Sequence, residues 1–396
     1  MFQTKKIIIV GGGFAGVQTA LELSRKNKSK HLEIVLISDN EYFEYRPSLH
    51  GFLSKKGPAK FHRLLLSEIF KNSRVQIIID KVIECDLSNK TITTKTGMTL
   101  SSDYLVLALG SEPAYFGIEG LQDTSFPFQT VADAQKLRTH ILDIFETHCT
   151  EEKISVDCVA GLHFIVVGAG PNGVDLAGEL TDFSRSLARE KGFPESFVAV
   201  DLVEGAPTVL PMMSEQVQKK VTQRLYKLGV NLLCNRQLLK QDELGIELVD
   251  MKVGTKTVIW TAGSTGNNLT TKISNITLQK KNRISVNEYL EIEEFPNCFV
   301  VGDIADTEFS GLAQTAIHNG LYVAKIINNK IQEKALAPYQ SKPVAYNIGV
   351  GHGWSVMQIG NIIISGKVAS YMRTIINMRY FLSILPFKKV IKMFCK

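Results

Sequence analysis

One local device occurs twice in this chain and restricts its fold more than any other feature. At the start, Lys5-Lys6-Ile7-Ile8-Ile9-Val10 runs into Gly11-Gly12-Gly13-Phe14-Ala15-Gly16, a G-x-G-x-x-G. Four β-branched residues in succession predict a strand buried on both faces, as inside a parallel sheet. The apolar pattern from Val17 to Leu23 then predicts a helix. Between them, Gly11 permits a tight turn, Gly13 lets a pyrophosphate reach the backbone, and Gly16 lets helix and strand pack closely. The free N–H groups at the start of the helix hold the phosphates. Phe164-Ile165-Val166-Val167-Gly168-Ala169-Gly170-Pro171-Asn172-Gly173 repeats the whole arrangement. A strand before and a helix after separate this motif from a plain glycine turn. Two such sites in one chain predict two dinucleotides and an α/β fold with two Rossmann-like domains.

A length of 396 residues is enough for two or three domains. No window holds the roughly 18 uninterrupted apolar residues of a spanning helix. The first strand begins by Ile7 and leaves no room for a signal peptide, so a cytosol-like location is expected. The six cysteines, Cys85, Cys149, Cys158, Cys234, Cys298 and Cys395, show neither C-x-x-C nor a metal-ligand spacing. Reduced thiols are expected, with no metal site. Charge is more telling. After Glu333 there is no acidic residue, and nine basic ones follow, Lys334, Lys342, Lys367, Arg373, Arg379, Lys388, Lys389, Lys392 and Lys396. The net +6 therefore lies wholly in the tail, which reads as a surface for an anionic partner.

Along the chain, a second strand at Glu33–Ile37 ends where a ribose-binding acid is expected. Ser38 stands there, followed by Asp39, and either residue can serve. Asn40 to Ser48 is aromatic-rich and contains Arg46-Pro47, a shaped loop that either covers a core or touches the first cofactor. Val75–Ile79, Val82–Asp86 and Thr91–Thr94 suggest a small meander. Tyr104–Leu109 is another buried strand, and Gly110 at its end lets backbone lie close to the first cofactor. A helix is expected over Ala132–Thr147 and a linker over Glu151–Ala160. The return strand of the second unit, Phe197–Val203, ends at Glu204. That carboxylate accepts ribose hydroxyls and repels a 2′-phosphate, which favours NADH over NADPH. A helix over Pro211–Leu228, a strand at Asn231–Cys234 and a closing strand ending at Gly263 follow. Cys298-Phe299-Val300-Val301-Gly302-Asp303 then places one carboxylate at the ligand-binding edge of a parallel sheet. An apolar helix runs on through Ala313-Gln314 and His318 to about Ile327.

The succession G-G-G-F-A-G, A-L-G-S, G-A-G-P-N-G-V-D-L-A-G-E-L, V-E, T-A-G, V-G-D-I-A and A-Q-T-A-I-H resembles the flavoproteins with two dinucleotide-binding domains. Within them it is most similar to the type II NADH dehydrogenases, single-chain NADH:quinone oxidoreductases that pump no protons. The resemblance implies a discontinuous FAD domain (1–115 and 266–330), an NADH domain (116–265) and a C-terminal β-hairpin with a basic membrane-associating region (331–396). It implies FAD on Gly11, Gly13, Phe14, Ala15 and Gly16, near Pro47, Gly110, Gly302 and Ala313, with Asp303 on the ribityl chain. It places NADH on Gly168, Gly170, Pro171, Asn172 and Gly173, near Gly263, with Glu204 on its ribose. The family's A-Q-x-x-x-Q quinone motif falls on Ala313, Gln314 and His318, so histidine replaces its second glutamine. Asp175 stands where the family usually has Glu near the nicotinamide, and Ser38 where it has the ribose acid.

Hydride transfer from NADH to flavin and electron delivery to a quinone follow as the expected reaction, with Gln314 between flavin and quinone and His318 as proton donor or hydrogen-bond partner. Val35-Leu36-Ile37-Ser38, Tyr42-Phe43 and Pro47-Ser48 also resemble the sulfide:quinone oxidoreductases. Those enzymes need reactive cysteines at the flavin, and no cysteine stands near the second glycine turn or shortly after Asp303. Cys158 and Cys298 read as core residues. A further alternative is a soluble NADH-dependent reductase of an acidic carrier protein. In the tail, Tyr371, Ile375, Met378, Leu382 and Leu385 recur at helical spacing, with Arg373, Thr374 and Asn377 opposite, and basic and aromatic residues are interleaved after Pro386. This predicts an in-plane helix at an anionic membrane, on the cytoplasmic face. A core-packing helix or a homodimer face is the alternative. No nucleic-acid motif accompanies the charge.

Overall fold

In the computed structural model, which describes residues 4–26, 32–54, 63–147 and 160–394, strand β1 (Lys5–Val10) is buried on both faces. Ile7 and Ile9 enter one apolar cluster, and Ile8 and Val10 enter another across the sheet. Burying each such side chain is worth about 2 kcal/mol. Helix α1 (Phe14–Lys26) returns the chain to β2 (Leu32–Ser38), and β3 (Val75–Ile79) and β4 (Tyr104–Leu107) extend the sheet. β5 (Ser111–Pro113) carries the chain out of this unit.

The second unit comprises β6 (Phe126–Pro127), α2 (Val131–Thr147), β7 (His163–Val167), α3 (Pro171–Glu190), β8 (Ala199–Val203), α4 (Glu215–Leu228), β9 (Val230–Leu233) and β10 (Thr257–Trp260). Its five strands are parallel, in the order β6-β10-β7-β8-β9. β7 repeats the logic of β1, with Phe164 and Val166 on one side and Ile165 and Val167 on the other. The chain leaves through β11 (Ser264–Gly266), antiparallel to β5. β12 (Glu291–Ile292) and β13 (Phe295–Val300) then complete the first sheet in the order β12-β13-β4-β1-β2-β3. Helix α5 (Ala313–Ile331) crosses α1 closely, because Gly320 offers no side chain where a Cβ would lie 2.5 Å from the Ala15 carbonyl oxygen.

The tail forms an antiparallel sheet of β14 (Tyr346–Gly349), β15 (Ser355–Ile359) and β16 (Ile362–Gly366), then α6 (Lys367–Ile384) and α7 (Phe387–Phe394). It has three strands where a hairpin was expected.

Other expectations change as well. Val75–Ile79 belongs to the parallel sheet beside β2, and the antiparallel meander is Val82–Asp86, Thr91–Thr94 and Thr99–Ser101. A short apolar strand has no periodicity that tells a sheet interior from a meander. The helix expected from Pro211 starts only at Glu215, after Ser214. The linker over 151–160 lies almost wholly outside the described residues, as do Cys149, Cys158 and Cys395.

Candidate active site

The two glycine turns are built alike. The Gly11 N–H donates to the Ile37 carbonyl at 2.8 Å, and the Gly168 N–H to Val203 at 2.8 Å. Val17 N–H closes the first helical bond on Gly13, and Val174 N–H on Gly170, each at 3.0 Å. Gly11 and Gly168 have φ of +119° and +103°, which side chains rarely adopt. A Cβ on Gly16 would run into the Gly11 carbonyl, and one on Gly173 into that of Gly168. By contrast, a Cβ on Gly13 or Gly170 would meet nothing within 4 Å. Each turn thus has one glycine needed for packing and one whose open side faces space that a ligand can fill. That arrangement fits a dinucleotide pyrophosphate at both helix N-termini.

A cleft of about 610 Å³ opens over the first turn. Gly11, Gly13, Phe14, Ala15, Ser38, Asp39, Gly110, Gly302, Asp303 and Ala313 line it, together with residues that sequence patterns did not single out, among them Glu44, Glu112, Asp133 and Asn267. Ser38 is buried and its hydroxyl donates to the Asn40 carbonyl at 2.8 Å, while Asp39 is exposed. Asp303 accepts from the Ser111 hydroxyl at 2.7 Å. Gly302, at φ +79°, donates its N–H to Asn319 at 3.1 Å.

A second cleft, about 330 Å³, lies between the turns. Phe14, Ala313, Gln314 and Asp303 line it from the first unit, Pro171 and Asn172 from the second, Arg46 and Pro47 from the shaped loop, and His50 from just beyond it. β14 and α6 close it with Asn347 and Arg373. Arg373 donates to Asp175 and to the Pro47 carbonyl, both at 2.7 Å, and its side chain is only 17% exposed. Burial alone would lower the guanidinium's pKa, but Asp175, Tyr45 and Glu179 outweigh it and hold Arg373 charged. One glycine makes room for this pair and another for the tail sheet. A Cβ on Gly349 would meet Arg373 and lie 2.6 Å from Asp175, and one on Gly178 would strike the Gly351 backbone.

Arg373 and Asn377 were expected on the polar face of the tail helix, opposite its apolar stripe. They face inward instead, Asn377 accepting from the Tyr45 hydroxyl at 2.8 Å, a phenol that burial pushes up to about 12. Behind them Tyr45, Tyr380 and Phe14 form an aromatic stack, with Tyr45–Tyr380 centroids 5.4 Å apart. Leu385 is also buried and Met378 half-buried, so the apolar stripe does not lie wholly outward. The periodicity marked a helix with two faces, but both are used, one by the protein.

Glu204 lies outside both clefts at the end of β8, its two oxygens accepting from Ala169 N–H at 2.7 Å and Ala206 N–H at 2.9 Å. Gly263 ends the β10 segment at φ +80°, beneath the Phe116 ring. His318 sits half-buried one turn beyond Gln314, outside the lining of either cleft; burial and the Lys342 charge lower its pKa. Missed altogether were His50 and Asn347, which no local pattern marks. Burial disfavours the thiolate at the described cysteines: it raises Cys85 to about 12 and Cys298 to about 11, and raises the half-buried Cys234. Among the described residues no group of three His, Cys, Asp or Glu is placed to hold a metal ion.

A family model described as pyridine nucleotide-disulphide oxidoreductase matches residues 5–320. The type II NADH:quinone oxidoreductase of Staphylococcus aureus is 30% identical over 403 residues, covering 97% of this chain and 98% of that protein. Its counterpart in Staphylococcus haemolyticus is 29% identical over 405 residues, again covering 97% and 98%. Among solved structures, NDH2 from Plasmodium falciparum in complex with NADH has a TM-score of 0.89 at 19% identity, covering 99% of this chain and 97% of that one. The sulfide:quinone oxidoreductase of Aquifex aeolicus has a TM-score of 0.78 at 18% identity, covering 98% and 95%.

Proposed function

The chain belongs to the type II NADH:quinone oxidoreductases, within the pyridine nucleotide-disulphide oxidoreductase family, and we propose that its reaction runs across the smaller cleft. It uses FAD and NADH and reduces a quinone. Bound FAD supplies the two-electron centre between nicotinamide and quinone. The observation that carries the placement is that Phe14 and Ala313 of one unit and Pro171 and Asn172 of the other line a single space.

Gly11, Gly13, Phe14, Ala15 and Gly16 cradle FAD, with Ser38 and Asp39 at its ribose and Gly110, Gly302 and Asp303 along the larger cleft. Gly168, Gly170, Pro171, Asn172, Gly173 and Gly263 receive NADH. Gln314 orients the quinone head, and His318 is a hydrogen-bond partner one turn farther out. Asp175 holds Arg373 against the Pro47 carbonyl and so shapes the wall where the nicotinamide and quinone meet. A sulfide-oxidising role would need a reactive thiolate, and none of the described cysteines, Cys85, Cys234 and Cys298, lines either cleft.

Glu204 selects NADH over NADPH. Its carboxylate is fixed by two backbone N–H donors and keeps lone pairs for a ribose, whereas a 2′-phosphate would meet like charge. Glu204→Gln is expected to raise KM for NADH roughly tenfold and to narrow the preference over NADPH by a similar factor. Steady-state rates with both nucleotides measure this.

The outer face of α6 and α7 meets an anionic membrane surface at the cytoplasmic side. Tyr371 and Ile375 are 72% and 66% exposed, and Phe387 is 65% exposed beside Lys388 and Lys392. An exposed apolar strip flanked by cations is the composition of an in-plane membrane contact. No helix among the described residues is long and apolar enough to cross a membrane. With anionic vesicles carrying quinone, the holoenzyme is expected to sediment with lipid and to oxidise NADH. Tyr371→Glu,Ile375→Glu should lower the affinity for the vesicles at least tenfold, since two buried charges cost more than about 1.4 kcal/mol. Dimers in solution that ignore the vesicles would assign the strip to a second copy. A flavin bleached by NADH but not reoxidised by any quinone would defeat the placement.

A further inference from the structure

Reduction of a quinone by NADH leaves one proton to be found. The hydride brings two electrons and one hydrogen, whereas the quinol carries two O–H bonds, so each turnover draws one proton from water. Among the residues lining the smaller cleft, His50 is the group whose ordinary pKa lies near neutrality. Its Nδ1 stands 3.3 Å from Asp175 Oδ2, the oxygen that also accepts from Arg373. Asp175 and Glu179, one turn apart on α3, are both buried, and Arg373 from α6 lies in the field of both. Arg46, in the same turn Arg46–Phe52, is exposed, so water screens it, and Arg138 from α2 is committed to the Leu53 carbonyl at 3.0 Å.

We propose that His50, backed by Asp175, holds this solvent-derived proton and delivers it to the quinone oxygen. The imidazolium N–H bond breaks as the quinol O–H bond forms, and water reprotonates the ring. His318 is less suited, because burial and Lys342 oppose its protonation. This inference rests on the NADH:quinone reading.

The holoenzyme with His50→Gln separates the possibilities. Single-turnover bleaching of the flavin by NADH should keep its wild-type rate. Reoxidation by a short-chain quinone should slow on the order of 100-fold, while reoxidation by ferricyanide, which takes electrons without a proton, should stay within about twofold. Imidazole should restore part of the quinone rate to His50→Ala. In flavin-free protein, NMR should show the His50 ring titrating, and Asp175→Asn should move that titration to lower pH. Equal slowing with quinone and ferricyanide, or a wild-type quinone rate in His50→Gln, overturns the proposal. If the variants do not fold, the wild-type quinone half-reaction decides: it must slow as pH rises through a single ionisation, and a flat profile overturns the proposal. Failure of NADH to bleach wild-type flavin would instead defeat the NADH:quinone reading itself.

Discussion

Gly13→Val is expected to give a folded protein that purifies without flavin, its affinity for FAD reduced at least ~100-fold, or about 3 kcal/mol. A Cβ there meets no protein atom within 4 Å, and the residue lines the larger cleft, so the fold has no reason to object. The added methyl groups would occupy the space over the α1 N-terminus where a pyrophosphate approaches the N–H groups. Unfolding should match flavin-stripped wild type within ~1 kcal/mol, which excludes a folding defect. The matching change in the other turn, Gly170→Val, separates the two sites. That variant should remain yellow, yet NADH should no longer bleach it. Absorbance at the flavin band, before and after NADH, reads both outcomes. Gly16→Val is a different experiment, because its side chain would collide with the Gly11 carbonyl and disturb packing itself.

Arg373→Met should destabilise the chain by about 3 kcal/mol, with a matching fall in the urea midpoint. The loss arises because buried Asp175 loses the guanidinium that donates to it at 2.7 Å. Adding Asp175→Asn should recover a large part of that stability, since the carboxylate that lost its partner is then removed too. A coupling of 1 kcal/mol or more between the two changes is expected from their direct contact. The single variant should also lose kcat/KM for quinone more than for ferricyanide, as Arg373 lines the smaller cleft. Strictly additive effects would show that the ion pair carries no such energy.

How far the chain could be read from its residues depended on how local the information was. The two glycine turns were legible because strand, turn and helix are adjacent in sequence, and each glycine has its own steric reason. Asp303 was legible as the end of a buried strand and lines both clefts. Arg373 was misread. Helical periodicity shows that a helix has two unlike faces, but not that the polar one closes on a carboxylate 198 positions earlier. His50 went unnoticed for the same reason, since its partner Asp175 lies on another element. Gly178 and Gly349 look like ordinary glycines in sequence, and only the docking of the tail sheet on α3 gives them a purpose. Glu204 shows the intermediate case: its position at a strand end was readable, its two backbone donors were not.

Helix α6 has a practical consequence. Arg373 and Tyr371 are two residues apart on one rigid rod, the first fixed in the cleft and the second pointing to the exterior. With the outer side proposed as the membrane contact, rates toward quinone measured in micelles and in liposomes are expected to differ.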